Sequence, residues 1–290
     1  YSRMRKGQTL FTYLHLAASK PCTDALMASG TTSIAYETVQ TSDGALPLLA
    51  PMSEVAGRLS AQVGAYHLMR TQGGRGVLMG GVPGVAPARV VVIGGGMAGD
   101  NAAAVAWGMG AHVTVFDLNI NILRKIDAEY GGAIETRYSS RLDLEDAVKQ
   151  ADLVIGAVLV PGAKAPKLVL NSTVAEMKAG AVLVDIAIDQ GGCFEDSRPT
   201  THDDPTFRVH DTVFYCVANM PGAVPSTSTY ALTNATMPYV LKLADKGWRD
   251  ACRADAALAK GLSTHEGALL SEQVAADLDL PFTDPADALR

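Results

Sequence analysis

With 290 residues and 48% hydrophobic side chains, the chain is long enough to bury a large core and to form two domains rather than one. Its formal charge of -6 argues against a nucleic-acid or anionic-membrane partner, either of which wants a basic face, so small molecules are the expected ligands. The cysteines Cys22, Cys193, Cys216 and Cys252 form no CxxC pair, no apolar run is long enough to span a bilayer and no charged-then-apolar leader is read, so a reducing, cytoplasmic setting is expected.

In chain order the first predicted elements are a strand at about 9–14, a helix at about 21–28 and a strand at 32–36, followed by a turn at Asp43-Gly44. From Met52 to about Arg70 the residues Val55, Ala56, Leu59, Val63 and Leu68 recur at helical spacing, which describes one long amphipathic helix able to bridge two domains. The Gly- and Pro-rich stretch 73–87 reads as a loop held close to another backbone. Arg89 to Ile93 is a continuous β-branched run of the kind buried on both faces of a parallel sheet, and similar strands are expected at 113–116, 134–138, 153–155, 182–186 and 213–217. Thr173 and Glu176 have the spacing of a capping box, with Ala179-Gly180 closing that helix. Beyond about Ala223 the chain is predicted mostly helical, at 230–245, 249–259 and 266–277.

The expected fold class is therefore α/β: a Rossmann-type doubly wound parallel sheet domain over 50–225, plus a second, discontinuous α/β substrate domain made of 1–49 and 226–290. Because the chain opens at Tyr1 and soon reaches what reads as an internal strand, that second domain is expected to be truncated at its amino end.

Gly94, Gly96 and Gly99 form a GxGxxG turn directly after the 89–93 strand and before a predicted helix at 98–108. The first glycine permits the tight turn, the second lets the backbone approach a pyrophosphate, and the third lets helix and strand pack closely. Phosphates would then rest on the free amides of the helix amino end. Asp117 follows at the end of the next strand, 18 residues beyond Gly99, where its carboxylate would bind a ribose diol and repel a 2′-phosphate. NAD is the expected cofactor. Asp100, in the first helical turn, is expected to point away from the phosphates.

For proton transfer, His15 is the leading histidine, since it ends an apolar strand and precedes a small-residue turn; a purely structural role stays open. Asp185 reads as a satisfied buried carboxylate within an apolar run. Asp189, just beyond it and before Gly191-Gly192, reads either as a turn residue or as a catalytic acid or base.

The segments LHLAAS around His15, APMSEVAGRL around Ser53 and DIAIDQGG around Asp189 resemble the alanine dehydrogenase family, as do YETVQ, GGVPGV, VLVPGAKAPKLV, CVANMPGAVPSTSTYALTNATMPYV and STHEGALL. This resemblance covers essentially the whole chain. It implies reversible NAD-dependent oxidative deamination of L-alanine to pyruvate and ammonia, with His15 and Asp189 as proton donor or acceptor groups in a cleft between the domains. It implies cofactor contacts from Ser53, Met97, Ala98, Asp117, Ser139, Val158, Leu159, Ile186, Ala187, Ile188, Asp189, Arg198, Val217, Ala218, Asn219 and Met220, and a homohexamer. It also implies a substrate-binding arginine and lysine in an amino-terminal segment with no counterpart here, so weak or absent turnover is expected of the chain as given. A basic residue at the adenosine end is replaced by Ile122, and positions linked to a divalent metal in some relatives are Lys242 and Lys246, so no metal is expected. The competing readings are a transhydrogenase NAD-binding component and a catalytically silent NAD-binding or assembly module.

Overall fold

The computed structural model describes residues 1–158 and 165–290. Its elements in chain order are β1 (Thr9–Thr12), α1 (Lys20–Ser29), β2 (Thr32–Ala35), α2 (Ala50–His67), β3 (Arg89–Ile93), α3 (Met97–Gly108), β4 (His112–Asp117), α4 (Ile120–Tyr130), β5 (Glu135–Tyr138), α5 (Arg141–Gln150) and β6 (Leu153–Gly156). There follow α6 (Asn171–Ala175), β7 (Val182–Asp185), β8 (Thr206–Val209), β9 (Thr212–Tyr215), α7 (Pro225–Ala254), α8 (Ala256–Ala259), β10 (Leu262–His265), β11 (Ala268–Leu269), α9 (Glu272–Leu278) and α10 (Pro285–Ala288). The described chain divides into two compact units, one of 1–52 with 226–290 and one of 53–158 with 165–225.

The second unit holds a sheet of seven strands in the order β5-β4-β3-β6-β7-β9-β8, parallel throughout except where β8 runs antiparallel to β9. Alternate residues of β3 face opposite sides. Val90 and Val92 join a core with Ala56 and Ala61 of α2 and Ala102, Ala103 and Ala106 of α3, while Val91 and Ile93 join another with Leu144 and Val148 of α5 and Val174 of α6. Helices thus cover both faces, and this explains why the strands read as unbroken apolar runs. The strand order reverses between β3 and β6, and at such a reversal the carboxyl ends of the strands open a crevice.

In the first unit four strands run in the order β1-β2-β10-β11, with β1 and β2 parallel and the remaining pairs antiparallel. Its cores gather around the fully buried Leu26 of α1 and Ile34 of β2.

The structure corrects the sequence-based elements in four places. The helix expected over 266–277 begins only at Glu272, because Glu266 and Gly267, both with positive φ, form the two-residue turn of the β10–β11 hairpin. The polar run Leu262-Ser-Thr-His265 becomes a strand through pairing with β2, where the buried hydroxyls of Ser33 and Thr264 bond at 2.7 Å. Strand β8 was not expected: it lacks a β-branched run and forms at the sheet edge, with Phe207 against Phe214. Finally, Thr173 does not cap a helix. It is buried inside α6, whose cap position is Leu170, and Glu176 pairs instead with Lys149 at 2.9 Å.

The glycine-rich stretch after α2 does lie against other backbone. A Cβ on Gly74 would stand 2.1 Å from the His67 carbonyl oxygen, and one on Gly80 would stand 2.6 Å from that of Met109.

Candidate active site

In the second unit the glycine turn sits at the β3/β6 reversal. Gly94 has a φ of +96° and so close an approach to the Ala157 carbonyl that a Cβ would stand 2.8 Å from it. A Cβ on Gly99 would lie 1.7 Å from the Gly94 carbonyl oxygen, so helix α3 can pack on its own entry loop only with glycine there. Gly96, the cap position of α3, faces open space: nothing would lie within 4 Å of an added Cβ, and no side chain caps the helix. The amides of the first turn, from Met97 and Ala98 onward, are therefore free of a side-chain acceptor and suit a phosphate.

At the end of β4 Asp117 is fixed by two backbone amides. Its Oδ2 accepts from Gly95 at 2.8 Å and its Oδ1 from Asn119 at 2.7 Å. Ser139 follows β5 and donates its amide to the Asp117 carbonyl at 3.0 Å, so these two residues are brought together, while Val158 stands beside Gly94. Leu159 lies outside the described residues. Asp100 does turn away: its carboxylate is buried and takes hydrogen bonds from Lys125 and Tyr130 of α4, each at 2.9 Å. Ile122 packs beneath Gly95, as a Cβ there would meet it at 2.8 Å, so this position serves the core. Ser53 is half-buried in the opening turn of α2.

At the end of β7, Asp185 is fully buried and accepts from the amides of Ala187 and Cys193 at 3.0 and 2.9 Å and from the Ser197 hydroxyl at 2.5 Å. Burial lifts its carboxyl above the ordinary range, against the pull of these donors. It shapes the turn that carries Ile186, Ala187, Ile188 and Asp189. Asp189 is half-buried and accepts the Asn219 amide at 3.1 Å, which joins the turn after β7 to the segment Val217, Ala218, Asn219 and Met220 after β9. Asn219 is left-handed, and its carbonyl is 3.1 Å from His202 Nε2. Arg198 lies 4.2 Å over the Phe207 ring. The buried thiols offer no nucleophile: burial and the nearby Asp185 charge push Cys193 well up and Cys216 to about 12.

In the first unit His15 follows β1 and adopts left-handed backbone angles, φ 45° and ψ 47°. Its amide donates to Oε1 of Glu37 at 2.7 Å, and its ring stacks on Tyr13 with centroids 5.9 Å apart. Tyr13 in turn donates its hydroxyl to the Leu48 carbonyl at 2.5 Å, and burial with the Glu37 charge raises its pKa, so the phenol stays protonated. Sequence reasoning did not single out Glu37 or His202. A carboxylate inside the apolar run SIAYETV was the available signal for the first; none existed for the second.

Lys242 is paired with Asp255 at 2.7 Å. Among the described residues no group of three or more His, Cys, Asp or Glu is placed to hold a metal ion, and no helix is long and apolar enough to cross a membrane.

These features define a two-unit α/β protein with a Rossmann-type sheet and a glycine turn at the strand reversal. Models of the alanine dehydrogenase/PNT N-terminal and C-terminal domains match residues 1–56 and 60–272. The chain belongs to the alanine dehydrogenase/PNT family. It is 86% identical to an alanine dehydrogenase of Mycolicibacterium smegmatis and 79% identical to one of Mycobacterium tuberculosis, in each case over 100% of this chain and 78% of the relative. A solved L-alanine dehydrogenase superposes with a TM-score of 0.85 at 53% identity, covering 95% of this chain and 76% of that one. A transhydrogenase structure from Sinorhizobium meliloti, at 20% identity over 92% of this chain and 74% of that one, has a TM-score of 0.70; that likeness is one of fold.

Proposed function

We propose that the reaction of this protein is the reversible oxidative deamination of L-alanine to pyruvate and ammonia with NAD, the second unit binding the dinucleotide and the first unit the substrate, with weak turnover expected of the chain as given. The observation that carries the reading is the near identity to mycobacterial alanine dehydrogenases along the whole chain. The local geometry supports it: open space at Gly96, uncapped amides at the start of α3 and a backbone-fixed Asp117 are what a pyrophosphate and a ribose diol require.

NAD, when bound, accepts the hydride that leaves the alanine α-carbon. The pyrophosphate would rest on the Met97 and Ala98 amides and the ribose on Asp117, with Ser53, Ser139, Val158, Ile186 to Asp189, Arg198 and Val217 to Met220 supplying further contacts. Before hydride loss the amine must be neutral, and His15 or Asp189 takes its proton. Water must then add to the imine carbon and ammonia leave. The same two groups give and receive the protons of those steps, so that alanine, water and the oxidised cofactor yield pyruvate, ammonium, the reduced cofactor and one proton. The protein works in the cytoplasm as a homohexamer in this proposal, without nucleic acid or membrane and without a metal.

Steady-state NADH production from alanine tests the reading, run on the chain as given and with the segment that precedes it in its relatives. We expect His15→Gln and Asp189→Asn each to lower kcat by about 10²-fold or more, the range of one general acid or base. Parent rates in both variants would overturn the assignment.

A further inference from the structure

We propose that Glu37 is a positioning residue for the reaction: its carboxylate fixes the backbone from which His15 projects and so sets where the imidazole meets the substrate. This rests on the reading of His15 as a proton-transfer group.

Four observations support it. First, a left-handed conformation at a residue with a Cβ is unfavourable and persists only where the surroundings hold it. Glu37 is what holds it: Oε1 accepts from the His15 amide at 2.7 Å and from the Leu14 amide at 3.3 Å, and Oε2 also lies 3.3 Å from the latter. The shorter bond has the length of a charge-assisted one.

Second, the carboxylate is only 4% exposed and, among the described residues, forms no ion pair. A buried charge satisfied by main-chain amides alone is an expensive way to stabilise a loop, whereas apolar packing would serve if only the fold mattered.

Third, the imidazole has little else to steer it. Its Nδ1 is buried and, among the described residues, has no hydrogen-bond partner, so no acceptor there orients the ring as the second group of a catalytic pair usually does. The ring stacks on Tyr13, and a stacked contact does not fix a ring within its own plane as a hydrogen bond does.

Fourth, the sheet register makes the pairing unavoidable. Strands β1 and β2 are parallel with Thr12 opposite Ala35, so the residues just past their carboxyl ends, Leu14-His15 and Glu37, meet although 22 positions separate them.

The test compares Glu37→Gln and Glu37→Asp with His15→Gln as reference, reading kcat and KM for alanine, NAD affinity, and the shift and exchange of the His15 amide proton by nitrogen-edited NMR, which needs no turnover. In E37Q one acceptor remains while an amide NH2 faces the Leu14 N–H; in E37D the charge is kept but withdrawn by one methylene. The titratable groups around His15 and Glu37 are Tyr13 after β1, Tyr36 after β2, Cys22 on α1 and the Tyr1 amino group near Cys22. Burial raises both phenols and the thiol, so they are neutral near pH 7.

We expect kcat to fall about 10-fold or more in both variants with KM for NAD unchanged. The His15 amide proton should move and exchange faster in both variants, because its 2.7 Å acceptor is altered. A lowered thermal midpoint with parent kcat would reduce Glu37 to a structural role and overturn the proposal. If neither variant folds, the unaltered protein decides: a His15 amide proton protected from exchange and shifted with Glu37 protonation supports the proposal, and an amide exchanging as freely as an open loop overturns it. Parent kcat in H15Q would instead sink the reading of His15, while the Glu37–His15 coupling seen by NMR would still stand.

Discussion

The two units build their share of the chemistry by opposite means. In the second, the groups proposed to bind the dinucleotide are consecutive in the chain and mostly main chain: a turn from Gly94 to Gly99, the amides of α3, and one carboxylate at the end of the adjacent strand. In the first, His15 is set by a side chain 22 residues away, through a parallel strand pair. A site made of backbone is fixed by sterics and fails abruptly when a Cβ is added. A site made of distant side chains is fixed by hydrogen bonds and fails by degrees. That contrast can be broken or sharpened by substitution.

The largest effect should come from Gly99→Ala. Its Cβ would stand 1.7 Å from a carbonyl oxygen in the same turn, and neither side can move without parting α3 from β3. We expect a loss on the order of 3 kcal/mol of stability together with NAD binding, read by denaturant unfolding and calorimetric titration. Gly96→Ala separates the two meanings of a glycine in such a turn. Its φ of -67° suits any residue and nothing lies near the new methyl, so stability should change by about 0.5 kcal/mol or less. NAD affinity should nevertheless fall about 10-fold, because the methyl fills the space the pyrophosphate needs. Normal NAD binding by G96A would mean that the phosphates lie elsewhere.

Asp117→Asn is expected to act less and more selectively. Asparagine keeps one oxygen for the Gly95 or Asn119 amide but no longer repels a 2′-phosphate. The preference for NAD over NADP, as the ratio of kcat/KM or of Kd, should drop by about 10-fold, equivalent to about 1.4 kcal/mol. An unchanged ratio would assign the discrimination to another residue.

What the sequence disclosed follows the same division. The parallel sheet was legible because strands buried on both faces must be apolar throughout, and the tight glycine turn after β3 because its steric demands fall on neighbouring residues. Asp185 was legible as a satisfied carboxylate, since an acid inside Val-Leu-Val-Asp-Ile has nowhere exposed to go. The β10–β11 hairpin was not, because Leu262 to His265 is half polar and becomes a strand only when Ser33 supplies the partner for Thr264. Nor was the use of Glu37, whose role depends on which residue lies opposite its strand end. Local sterics can be read from a window of sequence; a partner across a sheet can be read only once the register is known.

The smallest predicted effect concerns acid stability, and it sets one histidine of each unit against the other. His67, at the end of α2, is 7% exposed, its Nδ1 has no partner, and its ring lies against Tyr66 and Tyr215. Burial lowers its pKa below the ordinary 6.5, so the folded state holds it neutral while the unfolded chain takes up a proton first. Protons therefore favour unfolding between 6.5 and the lowered value. Stability is full above about pH 6.5, falls as pH drops through that window with a slope of at most about 1.4 kcal/mol per pH unit, and levels off below it. His265 in the first unit is lowered the same way, but it bonds to Thr32 Oγ1 at 2.9 Å, is more exposed and has Glu266 beside it to favour the charged form. His67→Phe should accordingly flatten the acid limb of the stability curve more than His265→Phe does, measured by urea unfolding at a series of pH values from 5 to 8. If His265→Phe flattened it more, the acid sensitivity would belong to the first unit, and the more exposed of the two rings would be the one the fold keeps from its proton.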